Sequence, residues 1–310
     1  ARRSVMLGIG ALPLAGRSTY AQSAWPNQSI RLVVPFAPGG TTDLVARLIG
    51  AGLQEKLGVS VVVENRAGAG ATIGSETVAR AAPDGYTLLL GSNGPLTNAP
   101  VLQARLPYDL EKDFAAIAMI SRSPVTLSVR TDSPFRNLAD LLAAARAKPG
   151  DLSIGSSGQG SATHFLIEQV MAAAGIRLTH VPYRGGAPLT TALVQNEVQV
   201  GLADLPILLP QIRAGTIRAL AVGSAQRLPW LPDVPTMIEL GYPSVDTNNW
   251  HGFVAPSRIP EPILERLHGA LAGALKDPEI SRQLFDQGAV PGGNSRAEFG
   301  EFIKAEMAKW

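Results

Sequence analysis

The chain has 310 residues, 45% of them hydrophobic, with 32 glycines and 24 prolines; that length predicts about two domains at ~100–200 residues each, and the composition excludes a disordered or collagenous chain. The absence of cysteine excludes a disulfide framework, a zinc–thiolate site, an iron–sulfur cluster and a cysteine nucleophile. The formal net charge of +2 comes from the first 21 residues, which hold Arg2, Arg3 and Arg17 and no acid; without them the 27 basic residues fall to 24 against 25 acidic ones, leaving no basic footprint for nucleic acid.

In chain order, Arg2-Arg3, the apolar stretch Val5 to Ala15 and the small residues that follow have the n-region, h-region and cleavage-site order of a secretory signal. Residues 1–24 are therefore expected to be a signal peptide cleaved after Ala21 or Ala24, by the general or the twin-arginine route, and the product is expected in the periplasm. The apolar stretch is too short for a membrane span, which needs ~20 residues. Ile30 to Pro35 reads as a strand, Phe36-Ala-Pro-Gly-Gly40 as a turn, and Thr41-Thr42-Asp43 as the start of a helix whose stripe is Val45, Ile49, Leu53 and Leu57, with Gly58 at C′. A strand over 59–64, a helix through Thr77 and Ala81, and a strand over 86–90 complete a βαβαβ unit.

The apolar stretch 115–129 is expected to pass as a strand from one domain to the next. The same grammar then restarts: helix 137–147, strand 152–154, the turn Gly155-Ser-Ser-Gly-Gln-Gly160, helix 161–174, strand 177–181, helix 188–195, and strands 198–203 and 217–222. After a strand over 250–255, the helices 262–275, 278–287 and 296–309 have no strands of their own to cover. The chain is therefore expected to return to its first domain. The expected fold is α/β with two domains, 25–124 plus 248–310 and 125–247, each a mostly parallel sheet flanked by helices, with a ligand cleft between them.

The two glycine-rich strand-to-helix turns carry the chemistry. Each sets free backbone N–H groups and the positive end of a helix dipole at the carboxyl edge of a parallel sheet, which suits an anion. Thr41, Thr42, Ser156, Ser157, Ser161 and Thr163 add hydroxyl donors, and neither turn has a lysine. No GxxxxGK[ST] is present, and Gly68-Ala-Gly70-Ala-Thr-Ile-Gly74 departs from the dinucleotide pattern GxGxxG, so no nucleotide cofactor is expected. His164, His180, His251 and His268 form no HxxH, HxxxH or HExxH spacing, which argues against a metal site.

Other readings compete for the same residues. A serine hydrolase would need GxSxG; Gly155-Ser156-Ser157-Gly158 misses it by one residue, and a Ser157–His164 pair is what remains of that alternative. Thr41, Thr42, Asp43 and Ser161 also read as helix caps, Arg184 as a ligand partner or a solvated side chain, and Asp204 as a ligand contact or the cap of the next helix.

Six motifs in order complete the pattern: Val34-Pro-Phe-Ala-Pro-Gly-Gly-Thr-Thr-Asp43, Glu64-Asn-Arg-Ala-Gly-Ala-Gly70, Pro83-Asp-Gly-Tyr-Thr-Leu88, Gly155-Ser-Ser-Gly-Gln-Gly-Ser-Ala-Thr-His164, Val181-Pro-Tyr-Arg-Gly185 and Trp250-His-Gly-Phe-Val-Ala-Pro256. From Trp25 to Trp310 the chain resembles the Bug-type (TctC) substrate-binding proteins of the tripartite tricarboxylate transporter system, whose members usually continue for a short segment beyond the position of Trp310. The resemblance implies a monomeric Venus-flytrap receptor, neither an enzyme nor a cofactor protein. Such a receptor binds a mono-, di- or tricarboxylate, an aromatic acid or an amino acid, and delivers it to membrane permease subunits; a receptor feeding a sensor is the alternative. It also implies that Phe36, Gly40, Thr41, Thr42 and Asp43 from one turn and Ser156, Ser157, Gly158, Ser161, Thr163 and His164 from the other grip the carboxylate, while Ser92, Asn93 and Asp204 line the rest of the cleft.

Overall fold

The computed structural model describes residues 25–99, 103, 105–245 and 248–310, so the expected signal peptide lies outside them. Strand β1 (Ile30–Val34) leads into helix α1 (Thr41–Leu57); β2 (Val61–Asn65), α2 (Thr72–Ala79) and β3 (Thr87–Ser92) follow. Parallel pairing sets β1 between β2 and β3. Along β1, Ile30, Leu32 and Val34 enter one apolar cluster and Val33 enters another on the opposite face. Both faces are covered, so the strand is apolar throughout instead of alternating.

A short helical turn, α3 (Leu110–Asp113), opens onto β4 (Phe114–Arg130), a strand of 17 residues. Its first part pairs antiparallel with β9 (Asn248–Pro256), from Phe114 opposite Pro256 to Pro124 opposite Asn248. From Val125 onward it pairs with β7 (Val200–Asp204), and on its other edge with β8 (Ile217–Val222). One strand thus belongs to two sheets, and the change falls between Pro124 and Val125. β9 also pairs antiparallel with β3, so the first sheet runs β2-β1-β3-β9-β4, with β10 (Val290–Pro291) on the far side of β4.

The second lobe contributes α4 (Leu138–Ala147), β5 (Ser153–Ser156), α5 (Ala162–Ala174), β6 (Thr179–Pro182), α6 (Gly186–Val194) and α7 (Leu205–Arg213). Its sheet runs β6-β5-β7-β4-β8, parallel from β6 to β7 and antiparallel around β4. Parallel pairing therefore holds in the outer strands of each lobe, and the strands at the junction are antiparallel. Leu127, Ile154 and Leu202 pack on one face of this sheet with Leu138 and Ile167, while Ala203 packs on the other with Leu189 and Leu193.

The last helices, α8 (Glu261–Lys276), α9 (Pro278–Asp286) and α10 (Arg296–Lys309), lie on the first lobe: α8 against α1 and β4, α10 against β4. Gly252 seats α10, because a Cβ there would lie 2.1 Å from Phe299 Cζ. The π-helical turn Gly94–Asn98 after β3 has no periodicity signal in the sequence. Among the described residues no helix is long and apolar enough to cross a membrane, and no cluster of three or more His, Asp or Glu could hold a metal ion.

Candidate ligand-binding cleft

The first turn is braced by charge. Gly39 has φ +78°, a left-handed conformation that glycine adopts without strain, and its N–H donates to Asp43 Oδ2 at 2.9 Å. Asp43 is buried and also accepts from Arg47 Nε and Nη2, each at 3.0 Å, and from Asn65 Nδ2 at 2.9 Å. Burial alone would raise its carboxyl, but Arg47, the Gly39 N–H and Asn65 together hold it below the ordinary value. The N-cap of α1 is Gly40, with no side-chain cap bond, so Thr41, Thr42 and Asp43 do not cap the helix. Thr41 and Thr42 line the cleft, whereas the Asp43 carboxylate is occupied behind the turn.

The second turn is braced by neutral groups. Ser156 Oγ pairs with His180 Nε2 at 2.7 Å and accepts from Gly158 N at 3.1 Å, where Gly158 has φ +138°. Ser161 Oγ donates to Gly158 O at 2.7 Å and accepts from His164 N at 3.2 Å, capping α5. Thr163 Oγ1 accepts from Ser157 N at 2.9 Å. His164 Nδ1 accepts from Gly160 N at 3.2 Å, its Nε2 is 3.6 Å from Glu168, and its ring stacks on His180 at 4.3 Å. Burial lowers His164 despite the pull of Glu168, and burial next to His164 takes His180 down to about 4, so both rings are neutral near pH 7. The Ser157–His164 pair of a hydrolase is not formed: the histidine is spent on holding the turn.

The two turns meet. Ala37 N donates to Arg184 O at 3.1 Å, Asn98 Nδ2 to Gly160 O at 3.4 Å, and Asn249 Nδ2 to Asp204 Oδ2 at 2.9 Å. Between them is a cavity of about 400 Å³, walled by Phe36, Gly68 to Ala71, Gly94, Ser157, Gly158, Ser161, Tyr183 and Arg184. It adjoins, through Phe36, Ser157 and Ser161, a narrow deep end of about 20 Å³. Gly40, Thr41, Thr42, Ser92, Ser157, Thr163, Gly186, Asp204 and Asn249 line that end. Ser156 and His164 stand behind the second turn, and Asn93 is taken up elsewhere, accepting from Trp250 N at 3.0 Å and donating to Glu306 at 3.2 Å. Asn249 and Gly186 carry no signal that marks them in the sequence as cleft residues, and Gly68–Ala71 lies in a glycine run whose spacing reads only as an imperfect cofactor motif.

Asp204 occupies the N-cap position of α7 but makes no cap bond. Burial pushes its carboxyl up to about 7, against the pull of Asn249 and Thr41. Its Oδ1 has no hydrogen-bond partner, nor has Thr41 Oγ1, which lies outside bonding geometry. Two wider cavities, about 630 and 610 Å³, flank α3 and α10; both are walled by the first lobe alone and no helix N-terminus from the second lobe reaches them.

The family described as tripartite tricarboxylate transporter family receptor, TctC, matches residues 45–310. The structure of the R. palustris protein Rpa4515 with adipate is 37% identical with a TM-score of 0.89, covering 92% of this chain and 96% of that one. The periplasmic binding protein BugD gives 35% and 0.89 over 92% and 96%, and MatC (Rpa3494) from Rhodopseudomonas palustris with bound malate gives 32% and 0.88 over 92% and 98%. With this two-lobed α/β fold, shared with periplasmic binding proteins, the chain belongs to the TctC receptor family, as a Bug-type member.

Proposed function

We propose that this chain is an extracytoplasmic solute receptor that captures a small organic carboxylate between its lobes and delivers it, without chemistry, to the membrane subunits of a tripartite transporter. One observation carries the reading: the N-termini of α1 and α5, from opposite lobes, converge on the deep end of the cleft with the hydroxyls of Thr41, Thr42 and Ser157 and with no lysine. Backbone N–H groups at helix N-termini bind carboxylates, and hydroxyls supply further donors. Ligand that bridges both turns favours the closed arrangement by its differential affinity, and the closed shape is what the membrane subunits recognise. Arg184 at the mouth of the cavity suits a second carboxylate. The likeness to proteins solved with adipate and with malate supports the same class of ligand. Export from the cytoplasm, through residues 1–24, is part of the proposal.

The test is a melting-temperature screen of the purified protein against mono- and dicarboxylates, amino acids, sugars and model esters. Ligand at ~100-fold above Kd adds about 2.7 kcal/mol, a shift of several degrees. A shift with carboxylates, the compound being recovered unchanged, is expected. No shift with any acid, or consumption of an ester, would overturn the reading.

A further inference from the structure

Among the described residues, Asp204 is the one titratable side chain at the deep end of a cleft proposed above to hold an anion, and its surroundings fix which oxygen does what. Asn249 Oδ1 accepts from Trp250 N at 3.0 Å, which orients the amide so that its Nδ2 donates to Asp204 Oδ2 at 2.9 Å. Oδ2 therefore behaves as the carbonyl oxygen of the acid, and Oδ1, buried and without a partner, is left for a proton. Beside the apolar Phe36 and Ala162, the deep end offers the hydroxyls of Thr41, Thr42 and Ser92 and backbone N–H groups, and among the described residues no cation offsets a second negative charge there. Two carboxylates in such a place do not both ionise; they share a proton.

We propose that Asp204 closes on the ligand as the neutral acid and donates its Oδ1 proton to the ligand carboxylate, so that above neutral pH the cleft takes up about one proton from solvent with each anion it binds. The inference rests on the carboxylate reading of the cleft. It adds that the deep end takes a carboxylate and disfavours the ammonium of an amine or amino acid, which would require Asp204 ionised. Charged neighbours do not supply another explanation. On α1, Asp43 is tied to Arg47; on β9, His251 is held neutral by burial and bonded to Ser121 Oγ at 3.3 Å; on α5, His164 is spent on Gly160; on β4, Arg122 lies over the Phe302 ring. Only burial, Asn249 and Thr41 act on the Asp204 carboxyl, and burial prevails.

The experiment is titration calorimetry with malate and adipate between about pH 6 and pH 9, in two buffers of different protonation enthalpy. The expected result is a Kd that rises about tenfold per pH unit above neutrality, with close to one proton taken up per ligand near pH 8. Asp204→Asn, which keeps a donor and an acceptor and cannot titrate, is expected to flatten the profile and abolish the uptake. The uptake measurement on the unaltered protein needs no variant and decides the matter if the variant misfolds. Binding without proton uptake, a Kd that is flat or falls with pH, or a slope that persists in Asp204→Asn would overturn this inference and leave the carboxylate reading standing. Where neither acid binds, the same titration is run with the acid that shifts the melting temperature, and the absence of binding by every acid of that panel would overturn both.

Discussion

The two turns that face each other across the cleft present the same surface, backbone N–H and hydroxyl, yet they are built on opposite principles. The first is braced by an ion pair: Asp43 gathers Gly39, Arg47 and Asn65 and turns its charge away from the cavity. The second is braced by neutral serines, a threonine and two stacked imidazoles. The proposed anion site therefore relies on no cation at its centre, because the charges and rings behind it fix the donors. The difference also means that the two turns fail under different conditions.

The largest effect is expected from Asp43→Ala, which strips the acceptor from Gly39, Arg47 and Asn65 at once. Losing charged hydrogen bonds of this kind costs about 3 kcal/mol; a lower urea midpoint and a Kd weakened more than tenfold should follow, and an unchanged Kd would show that the brace is dispensable. Next is a pair of glycine variants, one per turn. Gly158→Ala places a side chain at φ +138° with its Cβ 3.0 Å from Tyr183 O, a strain of about 1–3 kcal/mol. Gly40 has φ −81°, and its nearest neighbour, Gly186 N, would be 3.5 Å from a Cβ, so the fold should accept alanine there. Equal losses of stability in the two variants would erase the distinction.

The smallest effect is the pH response. His180 falls from 6.5 to about 4 in the folded protein and His164 is also lowered, so the unfolded chain binds more protons in that window. Stability from these groups is present above about 6.5 and is lost as pH falls toward 4. Asp43, held below its ordinary value, keeps its charge throughout that window. Hydrogen exchange at about pH 5 against pH 7 should then loosen residues 156–164 while residues 36–43 stay protected, and His180→Gln should lessen the change. Loosening of the first turn instead would contradict the assignment of the two braces. This acid window is separate from the alkaline one in which Asp204 acts.

Sequence pattern revealed the parts whose signal is local. The stripe Val45, Ile49, Leu53 and Leu57, ended by Gly58 in a left-handed conformation, specifies α1 without help from elsewhere. The long apolar stretch around residues 115–129 fits β4 because the strand is buried for most of its length in both sheets. Thr41, Thr42 and Ser157 were legible as cleft hydroxyls because hydroxyls follow a glycine turn at a helix start, whereas Thr163 turns its hydroxyl to Ser157 and Ser161 within the second turn. The role of Asp43 was not legible: an aspartate there reads as a cap or a ligand contact, and its role as a brace is set by Asn65 arriving from β2. Asn249 reaches Asp204 only through the pairing of β9 with β4, which no local pattern encodes. Gly68 to Ala71 has the spacing of an imperfect nucleotide motif, but becomes a wall of the outer cavity.

The pairing of Leu89 in β3 with Val254 in β9 has a consequence for the order in which the molecule is assembled. Every residue of the second lobe is synthesised between those two strands, so the first sheet waits for a loop closure that spans the whole second lobe. The second lobe's β5, β6 and β7, by contrast, are contiguous and close over short separations. Long-range pairing is the slow step in such chains. In refolding from denaturant, amides of β5 and β7 should become protected before those of β3 and β9; simultaneous protection in pulsed hydrogen exchange would show the two lobes forming as one unit.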